Sequence, residues 1–171
     1  MAAMNQLETK LDDIFEKNAP KIPANIRKML ADWAPWLALI GGIFTLWSAY
    51  ALWSWANVAS GLLDYANTLC QTYAGPGCNS IATSRMGLTV WLALAVLVVE
   101  GILYLLAFPG LRARKKAGWN YLYWGVLVNL AYGLVSLFTG YGVGTLIGSL
   151  IGSAIALWLL FQMRSEYHAA K

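Results

Sequence analysis

The sequence predicts an all-α integral membrane protein, in which a bundle of four transmembrane helices follows an amphipathic, interfacial N-terminal helical region. Composition is the first reason: the 171 residues are 59% hydrophobic and only 12% charged, whereas about a quarter of the residues of a water-soluble domain are charged. The second reason is the length of the apolar runs, each near the ~20 residues that a helix needs to cross a bilayer. Because these runs are continuous rather than alternating, they favour helices over a membrane β-barrel.

Residues 1–33 precede the first apolar run and are predicted to form two short amphipathic helices, separated by Pro20 and Pro23. The apolar stripe of the first helix comprises Met4, Leu7, Leu11, Ile14 and Phe15. The stripe of the second helix comprises Ile26, Met29, Leu30 and Trp33. This region is interpreted either as an anchor in the lipid headgroups or as an arm that binds a protein partner. The anchor is favoured, because the second stripe runs directly into the first span.

Residues 34–163 are predicted to form the transmembrane domain. The four spans cover residues 36–59, 87–108, 119–138 and 143–163, and residues 164–171 form a tail. We expect Pro109 and Gly110 to end the second helix. Because the first thirty residues are polar, we expect the first span itself to act as the insertion signal.

The segment from residue 60 to residue 86 is predicted to be the outer loop, which starts with a helical pattern and turns at Gly75-Pro76-Gly77. Cys70 and Cys78, the only cysteines, lie on either side of that turn. On the oxidising side of the membrane they predict a disulfide, which in the loop-entropy picture would stabilise the fold by about 2–3 kcal/mol. Free reactive thiols are the alternative, and a metal site is not expected from two sulfurs without a nearby histidine.

The distribution of cations predicts the orientation, since cytoplasmic segments of membrane proteins are rich in Lys and Arg. Between residues 60 and 86 the only cation is Arg85, whereas a cluster joins the second and third spans, formed by Arg112, Arg114, Lys115 and Lys116. We therefore expect a multi-pass protein of the cytoplasmic (inner) membrane with both termini in the cytoplasm. The cluster and the net charge of +4 predict contact with anionic lipids rather than with nucleic acid.

Small residues recur on the last two spans at four-residue spacing, which places them on one helix face. The fourth span has a glycine zipper formed by Gly140, Gly144, Gly148 and Gly152, and the third span contributes Gly125 and Gly133. The short turn between the spans makes them antiparallel neighbours, so packing inside the monomer is favoured for these glycines. Packing between copies of the chain remains the alternative.

Tryptophan and tyrosine side chains near the ends of the spans are predicted to lie at the membrane–water interface, where amphipathic rings settle. These residues are Trp33, Trp36, Trp119, Tyr121, Trp124, Tyr141, Trp158 and Tyr167.

Glu100 is the one acidic residue inside the predicted spans. It lies nine residues before Pro109, or about 13–14 Å along a helix, and Asn129 lies at a matching depth on the next span. Asn129 is therefore the predicted hydrogen-bond partner of Glu100, with Tyr104 one turn away. Two interpretations remain open: Glu100 exchanges a proton or binds a cation in a small transporter or channel, or it forms a polar clasp between helices.

Other chemistry finds no support in the sequence. The only histidine, His168, is in the tail, and the spans contain no catalytic triad and no paired carboxylates. No nucleotide-binding signature is present either. We therefore expect no enzymatic activity, no cofactor and no metal.

The stretches AFPGLRARKKAGW, after the second span, and LWLLFQMRSEY, at the end of the fourth, resemble those of small uncharacterised four-span bacterial membrane proteins. The resemblance covers residues 98–167 and implies a four-span bacterial membrane protein, without an activity, a ligand or a catalytic residue. The expected role is that of an accessory or structural subunit or a homo-oligomer, with the transporter as the alternative. Remodelling or binding of lipid through the N-terminal helix is a third hypothesis.

Overall fold

The structure is a computed structural model that describes Lys10 and residues 22–74, 87–137 and 142–168. Those residues form four long α-helices and no β-strand, so the all-α class is confirmed for them. The helices are α1 (Ala24–Ala74), α2 (Leu88–Arg112), α3 (Lys116–Ser136) and α4 (Gly142–His168). The first predicted amphipathic helix falls almost entirely outside the described residues.

Three of the helices are long and apolar enough to cross a membrane, and their qualifying segments are Ala24–Tyr73, Leu88–Arg112 and Leu146–Tyr167. The prediction of apolar helices of membrane-spanning length is thus confirmed for α1, α2 and α4. The helix α3 has no segment of comparable length and hydropathy, because Asn129 and several tyrosines, tryptophans and glycines dilute its aliphatic residues.

The helix α1 is continuous over 51 residues, roughly 77 Å at about 1.5 Å per residue. Its first turn forms on the Pro23 carbonyl, which accepts hydrogen bonds from the amides of Ile26 and Arg27 at 3.0 and 3.1 Å. Residues 24–33 are therefore not a separate helix from the first span. At its other end α1 includes residues 60–74, so the helical pattern at the start of the outer loop is confirmed.

The expectation that Pro109 ends α2 is wrong, because the helix continues to Arg112 with Pro109 inside it. A proline inside a helix removes one backbone hydrogen bond and crowds the carbonyl four residues earlier, yet α2 continues through Pro109 by three residues. The helix stops where the amides of Arg114 and Lys115 bond to the carbonyls of Leu111 and Gly110 at 3.0 and 2.8 Å. This is a Schellman turn, and Arg114 has the left-handed conformation (φ 53°) that such a turn requires.

The main core lies at one end of the bundle, where residues 113–115 join α2 and α3, and we call this the loop end. Buried side chains from all four helices meet there, namely Ala31, Ala34, Ala38, Ala107, Leu111, Trp119, Tyr123, Val126, Leu157, Leu160, Phe161, Met163 and Tyr167. Each helix packs along the next in the chain, whereas α1 touches α4 over a much smaller area.

Beyond the core, α1 projects past its neighbour. The helices α1 and α2 are antiparallel, since the rings of Trp36 and Phe108 lie 5.9 Å apart and Gly42 faces Gly101. If the two helices keep this register along their length, the first residue of α2 lies beside residue 55 of α1. Residues 56–74, which we call the α1 extension, therefore project by roughly 28 Å at about 1.5 Å per residue.

Glycines permit close approach of the helices at several crossings. A Cβ at Gly110 would lie only 2.6 Å from the Gly118 amide nitrogen, and a Cβ at Gly101 would lie 2.6 Å from Leu46 Cγ. Gly133 similarly lies against Ser149. In the zipper of α4 the prediction of packing inside the monomer is wrong, because no atom lies near the Cβ positions of Gly144, Gly148 and Gly152. Gly140 is outside the described residues. Gly144 and Gly148 face outward because α3 contacts α4 through the adjacent face that bears Ser149, whereas Gly152 borders a cavity.

Candidate functional site

Glu100 is buried on α2 with only 5% of its surface exposed. The side chain of Asn129, on α3, hydrogen-bonds its carboxyl group. The structure therefore brings together the two residues that the sequence places at equal depth. A polar pair of this kind ties two apolar helices together where few other polar partners exist.

One oxygen of this carboxyl group is not satisfied. Glu100 Oε1 is buried and has no hydrogen-bond partner among the described residues. Tyr104 lies one turn further along α2, close enough to interact electrostatically with Glu100. Its ring occupies the space that a side chain at Gly125 would take, which explains why α3 has a glycine at that position.

A small cavity of about 210 Å³ lies beside this pair and is lined by Tyr104, Val126, Asn129, Gly152, Ser153 and Ala156. Ser153 is only 4% exposed, and its hydroxyl has no hydrogen-bond partner in the described part of the chain. We call this the polar cavity. The sequence shows Ser153 only as a neighbour of the glycine row, so its place in the site was missed. The depth of Ser153 along α4 was the one signal in the sequence that could have placed this residue near Asn129.

A second cavity of about 280 Å³ has almost entirely apolar walls, and its lining includes Ala38, Gly41, Tyr104, Val126, Ala156 and Met163. We call this the apolar cavity. It lies at the edge of the core, because Ala38, Val126 and Met163 belong to the core as well. Tyr104, Val126 and Ala156 line both cavities, so the two are adjacent.

The predicted lipid-binding cluster is divided in the structure. Arg114 pairs with Asp32 of α1 and lies 3.9 Å from Glu166 of α4. Its guanidinium also lies 5.7 Å from the centre of the Tyr167 ring. Arg114 therefore links three elements at the loop end, a role that its sequence context does not indicate. The other members of the cluster, Arg112, Lys115 and Lys116, are exposed.

Trp119 and Tyr167 face the interior of the bundle instead of lipid, since they are 0% and 2% exposed. Trp119 Nε1 donates a hydrogen bond to the Leu160 carbonyl oxygen at 2.8 Å. Its ring stacks on Tyr123 with the centroids 5.4 Å apart and meets Phe161 edge-on at 5.5 Å. These rings turn inward because the helices converge at the loop end, so that a side chain there faces another helix.

The remaining rings at the span ends divide into three groups. Exposed rings belong to Trp33, Trp36, Tyr121 and Trp124. Trp158 is half-buried, and Tyr141 is outside the described residues.

No group of three or more potential metal ligands occurs among the described residues. Cys70 lies on the α1 extension, whereas Cys78 is outside the described ranges, so the disulfide stays a prediction. The His168 side chain is likewise not described.

No protein-family profile matches the chain, and no curated protein or solved structure is significantly similar to it. The resemblance of residues 98–167 to small four-span bacterial proteins therefore stays an expectation, and function has to be inferred from the chain itself.

Proposed function

We propose that this chain is a four-span protein of the cytoplasmic membrane that serves as an accessory or structural subunit. It assembles with further copies of itself or with other membrane proteins, and both of its termini lie in the cytoplasm. The observation that supports assembly most directly is the exposed apolar stripe on the α1 extension.

The length and packing of α3 support a fourth crossing of the membrane by this helix. Its 21 residues correspond to about 31 Å, close to the ~30 Å thickness of a hydrocarbon layer. It packs between α2 and α4. The residues that reduce its hydropathy are largely directed at these neighbours: Trp119 and Tyr123 are buried, and Asn129 is bonded to Glu100. They are therefore compatible with a helix in lipid.

The α1 extension supports assembly, because it carries apolar side chains where the bilayer is expected to end. If α2 crosses the membrane, residues 56–74 project into the aqueous phase beyond its first residue. An exposed stripe nevertheless starts at Trp55, just before the extension, and continues along it at alternating spacings of three and four residues with Val58, Leu62, Tyr65 and Leu69. Such spacing is typical of a helix that packs against another helix, and exposed apolar patches mark interaction sites.

The test of assembly uses a charged double substitution on this stripe. The variant Leu62→Lys/Leu69→Lys is compared with Asn57→Lys/Gln71→Lys, which places the same charges on the opposite, exposed face of the extension. Chemical cross-linking in native membranes, followed by mass determination, should reveal complexes for the unmodified protein and for the control variant. The stripe variant should lose them. Finding only the monomer for the unmodified protein would contradict the proposal.

The orientation is tested separately by labelling with a membrane-impermeant maleimide. Single cysteines are introduced at Gly61 and at Lys171 in a chain whose native cysteines are replaced. In intact cells, or in spheroplasts where an outer membrane blocks access, we expect labelling at residue 61 only. Labelling at residue 171 under these conditions would contradict a cytoplasmic C-terminus.

Transport is the second candidate function, and the unpartnered Oε1 of Glu100 favours it. Intramembrane carboxylates are often proton or cation sites. Flux of protons or alkali cations into liposomes should then be lost in Glu100→Gln and kept in Glu166→Gln, which changes a carboxylate at the loop end. If the native protein gives no flux under any imposed gradient, this function is excluded for the isolated chain.

A further inference from the structure

We infer that the four helices form a binding site for a lipid-soluble molecule with one uncharged hydrogen-bonding head group. The tail occupies the apolar cavity, and the head bonds to Ser153 in the polar cavity. This site goes beyond the proposed accessory role, and it does not depend on assembly.

The apolar cavity is suited to a tail. Its lining comes from all four helices and includes the half-exposed Leu37 of α1, so it opens on the side of the bundle. The two adjacent cavities measure about 280 and 210 Å³. Together they fall within the ~300–1,000 Å³ range of small-molecule sites, which commonly combine apolar walls with a few placed polar groups.

The polar cavity is suited to a head group. The Ser153 hydroxyl is buried without a partner among the described residues, an arrangement that is unfavourable unless a hydrogen bond is made. Asn129 lines the same cavity, and no atom lies within 4 Å of a Cβ placed at Gly152. A small head group can therefore approach both polar side chains. An anionic head would lose its hydration in this largely apolar site, which disfavours it.

The test uses 1-decanol as the probe, added to the full chain in lipid nanodiscs. The signal is the ¹³C resonance of the Met163 methyl group, which lines the apolar cavity and is one of five methionines. The resonance is assigned by its loss in Met163→Leu. We expect a saturable shift with decanol and a much weaker effect with decanoate at the same concentration.

Two substitutions fill the site without a steric clash at the Cβ. Gly41 and Gly152 have open space at their Cβ positions, so Gly41→Leu blocks the apolar cavity and Gly152→Leu blocks the polar cavity. Each should weaken decanol binding at least tenfold. Gly61→Leu is the matched control, since Gly61 is equally open but lies on the α1 extension. It should bind decanol as the unmodified protein does.

The head-group contact is tested by Ser153→Ala, a change small enough to leave the fold intact. We expect decanol to bind about three- to tenfold more weakly, which is the value of one hydrogen bond, and decane to bind equally well. The inference is overturned if the Met163 shift rises linearly without saturation. It is equally overturned if Ser153→Ala or Gly152→Leu leaves decanol binding unchanged. A chain that proves monomeric in the assembly test should still bind the probe.

Discussion

The hydroxyl of Tyr167 donates a hydrogen bond to the carbonyl oxygen of Ala31 at 3.1 Å. Pro35 explains this contact, because a proline has no amide hydrogen to give to the carbonyl four residues earlier, which is that of Ala31. The site is buried, and a buried carbonyl without a partner is costly. Tyr167 thus supplies the bond that Pro35 removes, and α1 continues through the proline.

This relationship predicts a coupling between the two positions. Tyr167→Phe should lower the free energy of unfolding by about 1–2 kcal/mol, because the Ala31 carbonyl loses its donor. In a Pro35→Ala background the helix restores its own bond, and the same substitution should cost less by about 0.5–1.5 kcal/mol. Denaturation by SDS in mixed micelles, followed by circular dichroism, measures all four proteins. Equal costs in both backgrounds would contradict the explanation.

The hydrogen bond between Glu100 and Asn129 predicts which changes the bundle tolerates. Asn129→Ala should lower the free energy of unfolding by about 0.5–2 kcal/mol, the range found for bonds between membrane helices. Glu100→Gln retains a side chain that can bond to Asn129 and should have a smaller effect. The same denaturation assay tests both variants, and the clasp is refuted if Asn129→Ala is neutral.

The glycines predict opposite effects of one substitution. Gly118 is buried where α3 lies against the backbone of α2, so Gly118→Ala forces the two helices apart and should cost about 1–3 kcal/mol. Gly148 has open space, so Gly148→Ala should be neutral in the monomer or stabilising by up to about 1 kcal/mol, the difference in helix propensity. Thermal unfolding of the purified monomer compares them. If Gly118→Ala is better tolerated than Gly148→Ala, the close contact between α2 and α3 at Gly118 is incorrect.

The ion pair between Arg114 and Asp32 predicts a small effect that depends on salt. The side chain of Asp32 is 59% exposed, so Asp32→Asn should cost less than about 1 kcal/mol at low ionic strength. The difference from the unmodified protein should shrink in about 1 M salt, where charges are screened over ~3 Å. Asp64→Asn, on the α1 extension, serves as the control and should show no salt-dependent difference. A cost for Asp32→Asn that is unchanged by salt would indicate packing instead of charge.

Much of the helical framework could be predicted because it depends on local properties of the chain. Apolar runs of sufficient length become helices whatever their neighbours are, since a helix satisfies its own backbone hydrogen bonds. The matching depths of Glu100 and Asn129 could be read in the same way, from the rise of a helix and a short connection. The end of α2 could not be predicted in this way. Pro109 suggests that the helix ends there, but it ends about one turn later, at the turn that contains Arg114.

Composition and periodicity thus established four helices, their apolar character and the sets of residues that share a face. Only the tertiary structure decided which of those faces is covered. It turned Gly144 and Gly148 outward, buried Trp119 and Tyr167, directed Arg114 to Asp32 and placed Ser153 at a cavity. The physical reason is that helical periodicity is a property of one segment. Contacts between segments depend on how the helices cross and on their relative register, which arise from packing the whole bundle at once.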